Sequence, residues 1–205
     1  MTAIALTIAG SDSGGGAGIQ ADLKTFSALG VYGASVVTAL TAQNTLGVTA
    51  IHDAPADFVT AEIDAVFSDF KVNAVKIGML SRTDIIAAVA RGLKQWSPPF
   101  IVLDPVMVAT SGDRLIRDDA ITSITRDLFP LATLITPNLA EAATLLDMPM
   151  AHDEAGMKHQ GQALIARGAQ AVLMKGGHGS GMTSVDLLVT ATEVRSFSAP
   201  RIETK

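Results

Sequence analysis

The stretch Gly10-Ser11-Asp12-Ser13-Gly14-Gly15-Gly16-Ala17-Gly18 decides the fold of this chain. It separates residues 4–8, an apolar run typical of a buried strand, from residues 17–29, which have helical periodicity. Glycine permits positive φ and close approach to a ligand, and a helix that starts here presents free N–H groups. The pattern predicts a strand, a turn and a helix whose loop cradles a small molecule or a phosphate; a glycine-rich turn without a ligand is the alternative.

Two common nucleotide-binding motifs do not fit this loop. A P-loop has Lys followed by Ser or Thr after its closing glycine, whereas Gly15 is followed by Gly16 and Ala17. A dinucleotide fingerprint starting at Gly14 and Gly16 needs glycine or alanine at position 19, which is Ile19. The loop is therefore interpreted as a small-molecule site of another kind.

The composition indicates one α/β domain, residues 1–205, that acts on a small molecule. Hydrophobic residues make up 48% of the chain, charged residues 17%, and the formal net charge is −5. No apolar run reaches the ~18 residues of a membrane span, and the first residues lack the basic region of a signal peptide. The acidic balance argues against a nucleic-acid partner. Because the chain has no cysteine, we expect a cytoplasmic protein.

Apolar runs alternate with helical patterns along the chain. The predicted parallel strands are residues 4–8, 34–40, 74–77, 100–103, 131–136 and 171–174. The predicted helices are residues 17–29, 56–70, 82–95 with a cap at Ser81 and Asp84, 116–128, 139–146 and 154–167. Residues 185–189 and 193–197 predict an antiparallel edge hairpin. This order predicts a doubly wound, mostly parallel sheet with helices on both faces and ligands at the carboxyl ends of its strands.

Polar side chains follow four of these strands. Gln43 offers an amide suited to a neutral heterocycle. Asp104 either holds magnesium or caps the turn that follows it. Asn138 and Glu141 have the spacing of a capping box, which does not exclude contact with a metal or a phosphate. Lys175, on a glycine-rich turn, is either a counter-ion for phosphate or an exposed lysine.

Several segments together resemble the bacterial hydroxymethylpyrimidine and phosphomethylpyrimidine kinases of thiamine biosynthesis, which belong to the ribokinase-like superfamily. These segments are AGSD (9–12), GGGAGIQADLKTF (14–26), TALTAQNT (38–45), KIGML (76–80), TPN (136–138) with Glu141, and LMKGGH (173–178). The resemblance runs over residues 4–205. It implies Mg²⁺- and ATP-dependent phosphorylation of 4-amino-5-hydroxymethyl-2-methylpyrimidine, and then of its monophosphate to the diphosphate, by a homodimer.

The resemblance also implies roles for single residues. The pyrimidine would be faced by Gly10, Asp22, Gln43, Met79 and Val106, with Gln43 as the main hydrogen-bonding side chain. The metal would be held by Asp104 and Glu141, and the phosphates of ATP by Asn138 and Lys175.

One part of the family pattern is not found within residues 1–205. In the family, a glycine-threonine-glycine-cysteine turn follows the counterpart of residues 201–205 and forms an anion hole for the transferring phosphoryl group. That turn and its cysteine would lie beyond Lys205, so no catalytic residue is assigned. We expect one of two explanations: the sequence has been trimmed, or the polypeptide is truncated. A polypeptide that ends at Lys205 should bind the pyrimidine and hardly phosphorylate it. Two alternatives are a pyridoxal or pyridoxine kinase and a non-catalytic pyrimidine-binding module.

Overall fold

The computed structural model describes residues 2–107, 118–177 and 182–202, which form an eight-stranded sheet and a separate two-stranded hairpin. The strands are β1 (Ile4–Ala9), β2 (Tyr32–Val37), β3 (Ala39–Asn44), β4 (Gly47–Asp53), β5 (Ala74–Ile77), β6 (Ile101–Leu103), β7 (Leu134–Ile135), β8 (Ala171–Met174), β9 (Thr183–Thr190) and β10 (Val194–Pro200). The helices are α1 (Gly18–Ala28), α2 (Ala56–Asp69), α3 (Thr83–Trp96), α4 (Asp118–Ser123) with a π-helical continuation (Ile124–Leu128), α5 (Leu139–Leu146) and α6 (Glu154–Ala166).

The large sheet has the strand order β10-β9-β8-β7-β6-β5-β1-β2. The strands from β8 to β2 in this order are parallel, whereas β9 and β10 add an antiparallel edge. Residues 5–9 of β1 are buried without interruption. Because successive side chains of a strand point to opposite faces, both faces of the sheet are covered there. The predicted doubly wound, mostly parallel α/β fold with an antiparallel edge hairpin is confirmed.

The core runs through the middle of this sheet as one cluster of buried side chains. Neighbouring strands contribute fully buried residues to it: Leu6, Ile77, Leu103, Ile135 and Val172. Helix α3 adds seven buried positions, from Ile85 to Leu93. Close packing of this kind holds the strand ends in fixed relative positions, so the polar residues that follow each strand are placed by the core.

The second predicted strand, residues 34–40, is wrong in its extent. β2 ends at Val37, and after Thr38 the chain enters β3, which pairs with β4 in an antiparallel hairpin outside the large sheet. Buried Thr38 marks this departure: its N–H donates to the Ala9 carbonyl at 3.0 Å and its hydroxyl to the Met79 carbonyl at 3.0 Å. Residues 34–40, predicted as one strand, therefore include the end of β2 in the large sheet and the start of β3 in the hairpin.

The predicted cap of α3 by Ser81 and Asp84 is also wrong. Arg82 is the N-cap residue, and it makes no side-chain cap hydrogen bond. The Ser81 hydroxyl instead donates to Asp53 Oδ1 at 2.5 Å, which ties the end of β4 to the start of α3. Asp84 pairs with Arg82 at 2.8 Å. The Ser81 hydroxyl therefore makes a tertiary hydrogen bond to Asp53 in place of the predicted local cap.

Two further points concern the helices. Residues 116 and 117, where the fourth predicted helix begins, lie outside the described residues. In the part of the chain that the structure describes, none of the helices combines the length and the apolar character needed to cross a membrane.

Gly18 provides a test of the turn between β1 and α1. Its φ is +55°, and a Cβ there would lie 2.5 Å from the Gly10 carbonyl oxygen. We expect Gly18→Ala to lower the free energy of unfolding by about 3 kcal/mol, because it adds backbone strain to a steric overlap. Gly30→Ala is the matched control: φ is +71° with no atom within 4 Å, so a loss of about 1 kcal/mol is expected. Equal losses in urea unfolding would contradict this account.

Candidate active site

A cleft of about 260 Å³ lies at the carboxyl ends of β1, β5 and β6, beside α1 and the β3–β4 hairpin. All five residues assigned to the pyrimidine line it: Gly10, Asp22, Gln43, Met79 and Val106. Asp104, one of the two residues assigned to the metal, lines it as well. The topology thus brings together residues that are far apart in sequence, at the edge of the sheet where ligands of open α/β folds bind.

Asp12 organises the glycine-rich loop from within. Asp12 is only 5% exposed. Its side chain accepts hydrogen bonds from the N–H groups of Gly14 at 2.8 Å, Gly16 at 2.9 Å and Ala17 at 2.8 Å. A carboxylate of the chain itself therefore binds three N–H groups of the loop that precedes α1. These three N–H groups are not open to a ligand, and the loop lines the cleft through other residues such as Gly10 and Gly18.

Strand β3 is hydrogen-bonded to the same loop. The Ser13 hydroxyl donates to the Gln43 carbonyl at 2.6 Å and accepts from the Gln43 N–H at 2.8 Å. The Thr41 hydroxyl donates to the Ser11 carbonyl at 2.9 Å. Gln43 lies on a hairpin strand rather than in a loop after a sheet strand, and its backbone is fixed from two sides.

The Gln43 side chain faces the cleft with most of its hydrogen-bonding capacity open. Its Oε1 lies 3.3 Å from the Thr41 hydroxyl, and no residue in the described ranges accepts from its Nε2. A primary amide carries one acceptor and two donors. Gln43 can therefore bind a heterocycle that presents a donor and an acceptor side by side.

Asp22, on α1, is held by two side chains that were not assigned from the sequence. The Thr7 hydroxyl, on β1, donates to Asp22 Oδ2 at 2.6 Å, and Lys76 Nζ, on β5, donates to the same oxygen at 2.9 Å. Thr7 and Lys76 are direct cross-strand neighbours. A sequence signal existed, because a lysine inside the apolar strand Ala74–Ile77 needs a partner when it is partly buried.

Asp104 and Lys175 form an ion pair between the ends of β6 and β8. Lys175 Nζ lies 2.7 Å from Asp104 Oδ1, and the Thr136 hydroxyl donates to the same oxygen at 3.1 Å. The contacts that the structure describes for the Asp104 side chain are these two, not a cap on the turn that follows. Lys175 is a paired, half-buried cation rather than a freely solvated lysine.

The predicted capping box at the start of α5 is confirmed. Asn138 Oδ1 accepts from the Glu141 N–H at 2.9 Å, and Glu141 Oε2 accepts from the Asn138 N–H at 2.7 Å. Burial raises the pKa of the Glu141 carboxyl, and the nearby Asp104 charge raises it further, while the Asn138 N–H and the Lys175 charge lower it. Glu141 therefore lies close enough to the Asp104–Lys175 pair to interact electrostatically with both members.

Asp104 and Glu141 suit a magnesium ion that is completed by phosphate. Mg²⁺ is commonly bound through one or two carboxylates, with water and substrate phosphates in the other positions. Across residues 2–107, 118–177 and 182–202, no group of three or more His, Asp or Glu side chains gathers in a way that could hold a metal. Two carboxylates would leave the other positions of such an ion to water and to phosphate oxygens.

Comparison with known proteins gives consistent matches. The sequence model of a family described as phosphomethylpyrimidine kinase matches residues 12–205. A hydroxymethylpyrimidine/phosphomethylpyrimidine kinase of Rhizobium meliloti is 60% identical over 205 residues, which is 100% of this chain and 77% of the relative. A phosphomethylpyrimidine kinase structure from Clostridium difficile has a TM-score of 0.88 and 46% identity, covering 96% of this chain and 84% of that one. A Bacillus subtilis pyridoxal kinase structure has a TM-score of 0.91 and 35% identity, covering 100% and 78%.

Asp12 can be tested without any ligand. We expect Asp12→Ala to lower the free energy of unfolding by about 3 kcal/mol, because three loop N–H groups lose their acceptor. Asp69→Ala, which removes an exposed carboxylate at the end of α2, is the control and should change the stability little. Urea unfolding of both variants measures the difference. A loss for Asp12→Ala no larger than that of the control would show that the loop does not depend on this carboxylate.

Proposed function

The chain belongs to the phosphomethylpyrimidine kinase family, and on that premise we propose that it phosphorylates 4-amino-5-hydroxymethyl-2-methylpyrimidine and then the resulting monophosphate, with ATP as the phosphoryl donor, in thiamine biosynthesis. In the first step the hydroxymethyl oxygen attacks the γ-phosphorus, loses its proton and displaces ADP; in the second step a phosphate oxygen of the monophosphate is the nucleophile. The observation that carries the proposal is one cleft that Gln43, Asp22 and Asp104 line together.

The heterocycle end of the cleft combines polar and apolar groups. Gln43 supplies an amide whose donor and acceptor match the edge of an aminopyrimidine. Met79 and Val106 belong to a small apolar cluster of their own and supply surfaces for the faces of a ring. Gly10 makes room for this arrangement, since a Cβ there would lie 2.6 Å from Met79 Cε.

The phosphate end of the site is charged: Asp104 lines the cleft, and Lys175 pairs with it from the end of β8. Asp104 and Glu141 would hold Mg²⁺, which when bound neutralises negative charge on the phosphates. Lys175 supplies a fixed positive charge for phosphate oxygens, and the Asn138 side-chain amide, at the start of α5, supplies a donor. These residues bind and orient the nucleotide relative to the hydroxyl that attacks it, and orientation is a large part of the catalysis of phosphoryl transfer.

Pyridoxal kinase activity is the second candidate, since the pyridoxal kinase of Bacillus subtilis shares the fold at 35% identity. The higher identity, 60%, to a pyrimidine kinase favours the pyrimidine. A coupled assay of ADP formation by the full-length natural protein, with each substrate in turn, separates the two. A third alternative, a binding module without catalysis, predicts pyrimidine binding with no ADP formed. Faster turnover of pyridoxal than of the pyrimidine would overturn the first proposal.

The setting of this activity is part of the proposal. We place the described residues in one kinase domain, since a single main cluster of buried side chains connects the large sheet to its helices. A cytoplasmic location is consistent with ATP as the co-substrate, since ATP is made and kept in that compartment.

A homodimer, implied by the family resemblance, is supported by apolar side chains exposed on the β3–β4 hairpin, namely Leu40, Leu46 and Ile51. Analytical ultracentrifugation tests the dimer.

Gln43 should contribute to pyrimidine binding and not to nucleotide binding. We expect Gln43→Ala to weaken pyrimidine binding by about 1 to 3 kcal/mol, because the ligand loses a hydrogen-bonding partner in the cleft. Gln95→Ala, an exposed glutamine on α3, is the control. Titration calorimetry with the pyrimidine and with an ATP analogue measures both affinities. Unchanged pyrimidine affinity, or an equal loss for both ligands, would remove Gln43 from the heterocycle end.

Glu141→Gln separates the capping role of this side chain from its charge. Glutamine keeps an oxygen that can accept from the Asn138 N–H, so the helix start should survive. We expect the Mg²⁺ concentration for half-maximal activity to rise by about tenfold or more, because the ion loses a charged oxygen. Glu193→Gln, at the exposed turn between β9 and β10, is the control. Normal Mg²⁺ dependence in the Glu141 variant would leave the residue with a capping role alone.

A further inference from the structure

Lys76 is a charged side chain in an apolar strand near the middle of the sheet. Strand β5 lies between β1 and β6, and the residues on either side of Lys76, Val75 and Ile77, are fully buried. The Lys76 side chain is 24% exposed and lines the cleft. A lysine in such a place is costly unless its charge is paired, so its contacts indicate what it does.

The contacts of Lys76 orient one carboxylate. Its Nζ lies 2.9 Å from Asp22 Oδ2, and the Thr7 hydroxyl donates to the same oxygen at 2.6 Å. An ammonium group can only donate, so both partners present donors to Oδ2. No hydrogen bond to Oδ1 of Asp22 is found in the described part of the chain. Since Asp22 lines the cleft, Oδ1 is the oxygen left to accept from a ligand.

Gly78 keeps the space that this arrangement needs. A Cβ at residue 78 would lie 2.9 Å from Lys76 Nζ and 2.9 Å from Ala9 Cβ. Any side chain there would push the ammonium away from its present position. The backbone after β5 thus accommodates Lys76 in contact with Asp22.

We propose that Lys76 is a positioning residue that sets substrate specificity. It holds Asp22 so that the free carboxylate oxygen accepts an N–H from the amino group of an aminopyrimidine. A ring that presents an oxygen acceptor at that place, as the aldehyde oxygen of pyridoxal does, meets an acceptor-only group. This inference rests on the proposed pyrimidine kinase function.

The neighbouring Gln43 cannot make the same distinction. Its amide presents both a donor and an acceptor, so a rotation of the side chain serves either kind of ring substituent. A carboxylate whose second oxygen already receives two donors has no such freedom. A site built to accept an N–H rejects an analogue that lacks it, because buried polar groups are then left unpaired. Asp22, in the position in which Lys76 holds it, therefore discriminates between the two heterocycles.

The test compares two ligands on the full-length natural protein and its variants. Titration calorimetry gives dissociation constants for 4-amino-5-hydroxymethyl-2-methylpyrimidine and for pyridoxal. We expect Lys76→Met to weaken aminopyrimidine binding by about tenfold to a hundredfold and pyridoxal binding by less than about threefold. Lys76→Arg, which keeps a cation, should restore most of the preference. Lys158→Met, which removes an exposed lysine on α6, is the matched control and should leave both affinities unchanged.

The outcomes separate this inference from the proposed function. A wild-type protein that does not bind the aminopyrimidine contradicts the proposed function itself. If the wild-type protein prefers the aminopyrimidine and Lys76→Met keeps the same preference, the proposed role of Lys76 is overturned. An equal loss of affinity for both ligands in Lys76→Met, together with a lower melting temperature, overturns it as well. If Lys76→Met does not fold, Thr7→Val decides, because it removes the other donor to Asp22 Oδ2. A shift toward pyridoxal supports the inference, and an unchanged ratio overturns it.

Discussion

The Asp12 carboxylate accepts hydrogen bonds from three backbone N–H groups of the glycine-rich loop, and the cleft takes its shape from this cluster. The loop connects β1, which lies between β5 and β2 in the sheet, to α1, and the Ile19 N–H donates to the Gly10 carbonyl across its base. Ser13, the next residue, binds the backbone of Gln43. The anchored loop therefore fixes the start of α1, which carries Asp22, and the hairpin strand that carries Gln43. Both polar groups of the heterocycle end depend on one buried acid.

Two lysine–aspartate pairs belong to the candidate site. Lys76 and Asp22, which both line the cleft, are 2.9 Å apart, and Lys175, at the end of β8, lies 2.7 Å from Asp104, which also lines it. Each lysine comes from a strand of the sheet or from its end, so its position is set by the core. In each pair the cation occupies one carboxylate oxygen and orients the other. Glu141 lies near the second pair, and burial raises the pKa of its carboxyl.

The similarity to both pyrimidine and pyridoxal kinases is a similarity of fold. The fold is common to the structures compared, with TM-scores of 0.88 and 0.91. A fold shared at that level does not choose a substrate, because substrate choice depends on the few side chains around the ring. In this chain the side chains that we assign to the ring, all of which line the cleft, are Gln43, Asp22 and the apolar pair Met79 and Val106. Specificity is therefore a local property of the heterocycle end, on a scaffold that serves more than one vitamin precursor.

Local patterns in the sequence determined the order of the main sheet elements and several boundaries. The limits of β5 and β8, the length of α5 and its capping box were readable, because they depend on residues at most a few positions apart. The five pyrimidine-facing positions came from the family resemblance, and their gathering in one cleft follows from the strand order. Only the tertiary structure decided that β3 leaves the sheet, that Asp12 fills the loop and that Lys76 binds Asp22. Those contacts join residues as far as 54 positions apart, and such pairs exist only once the strands have become neighbours.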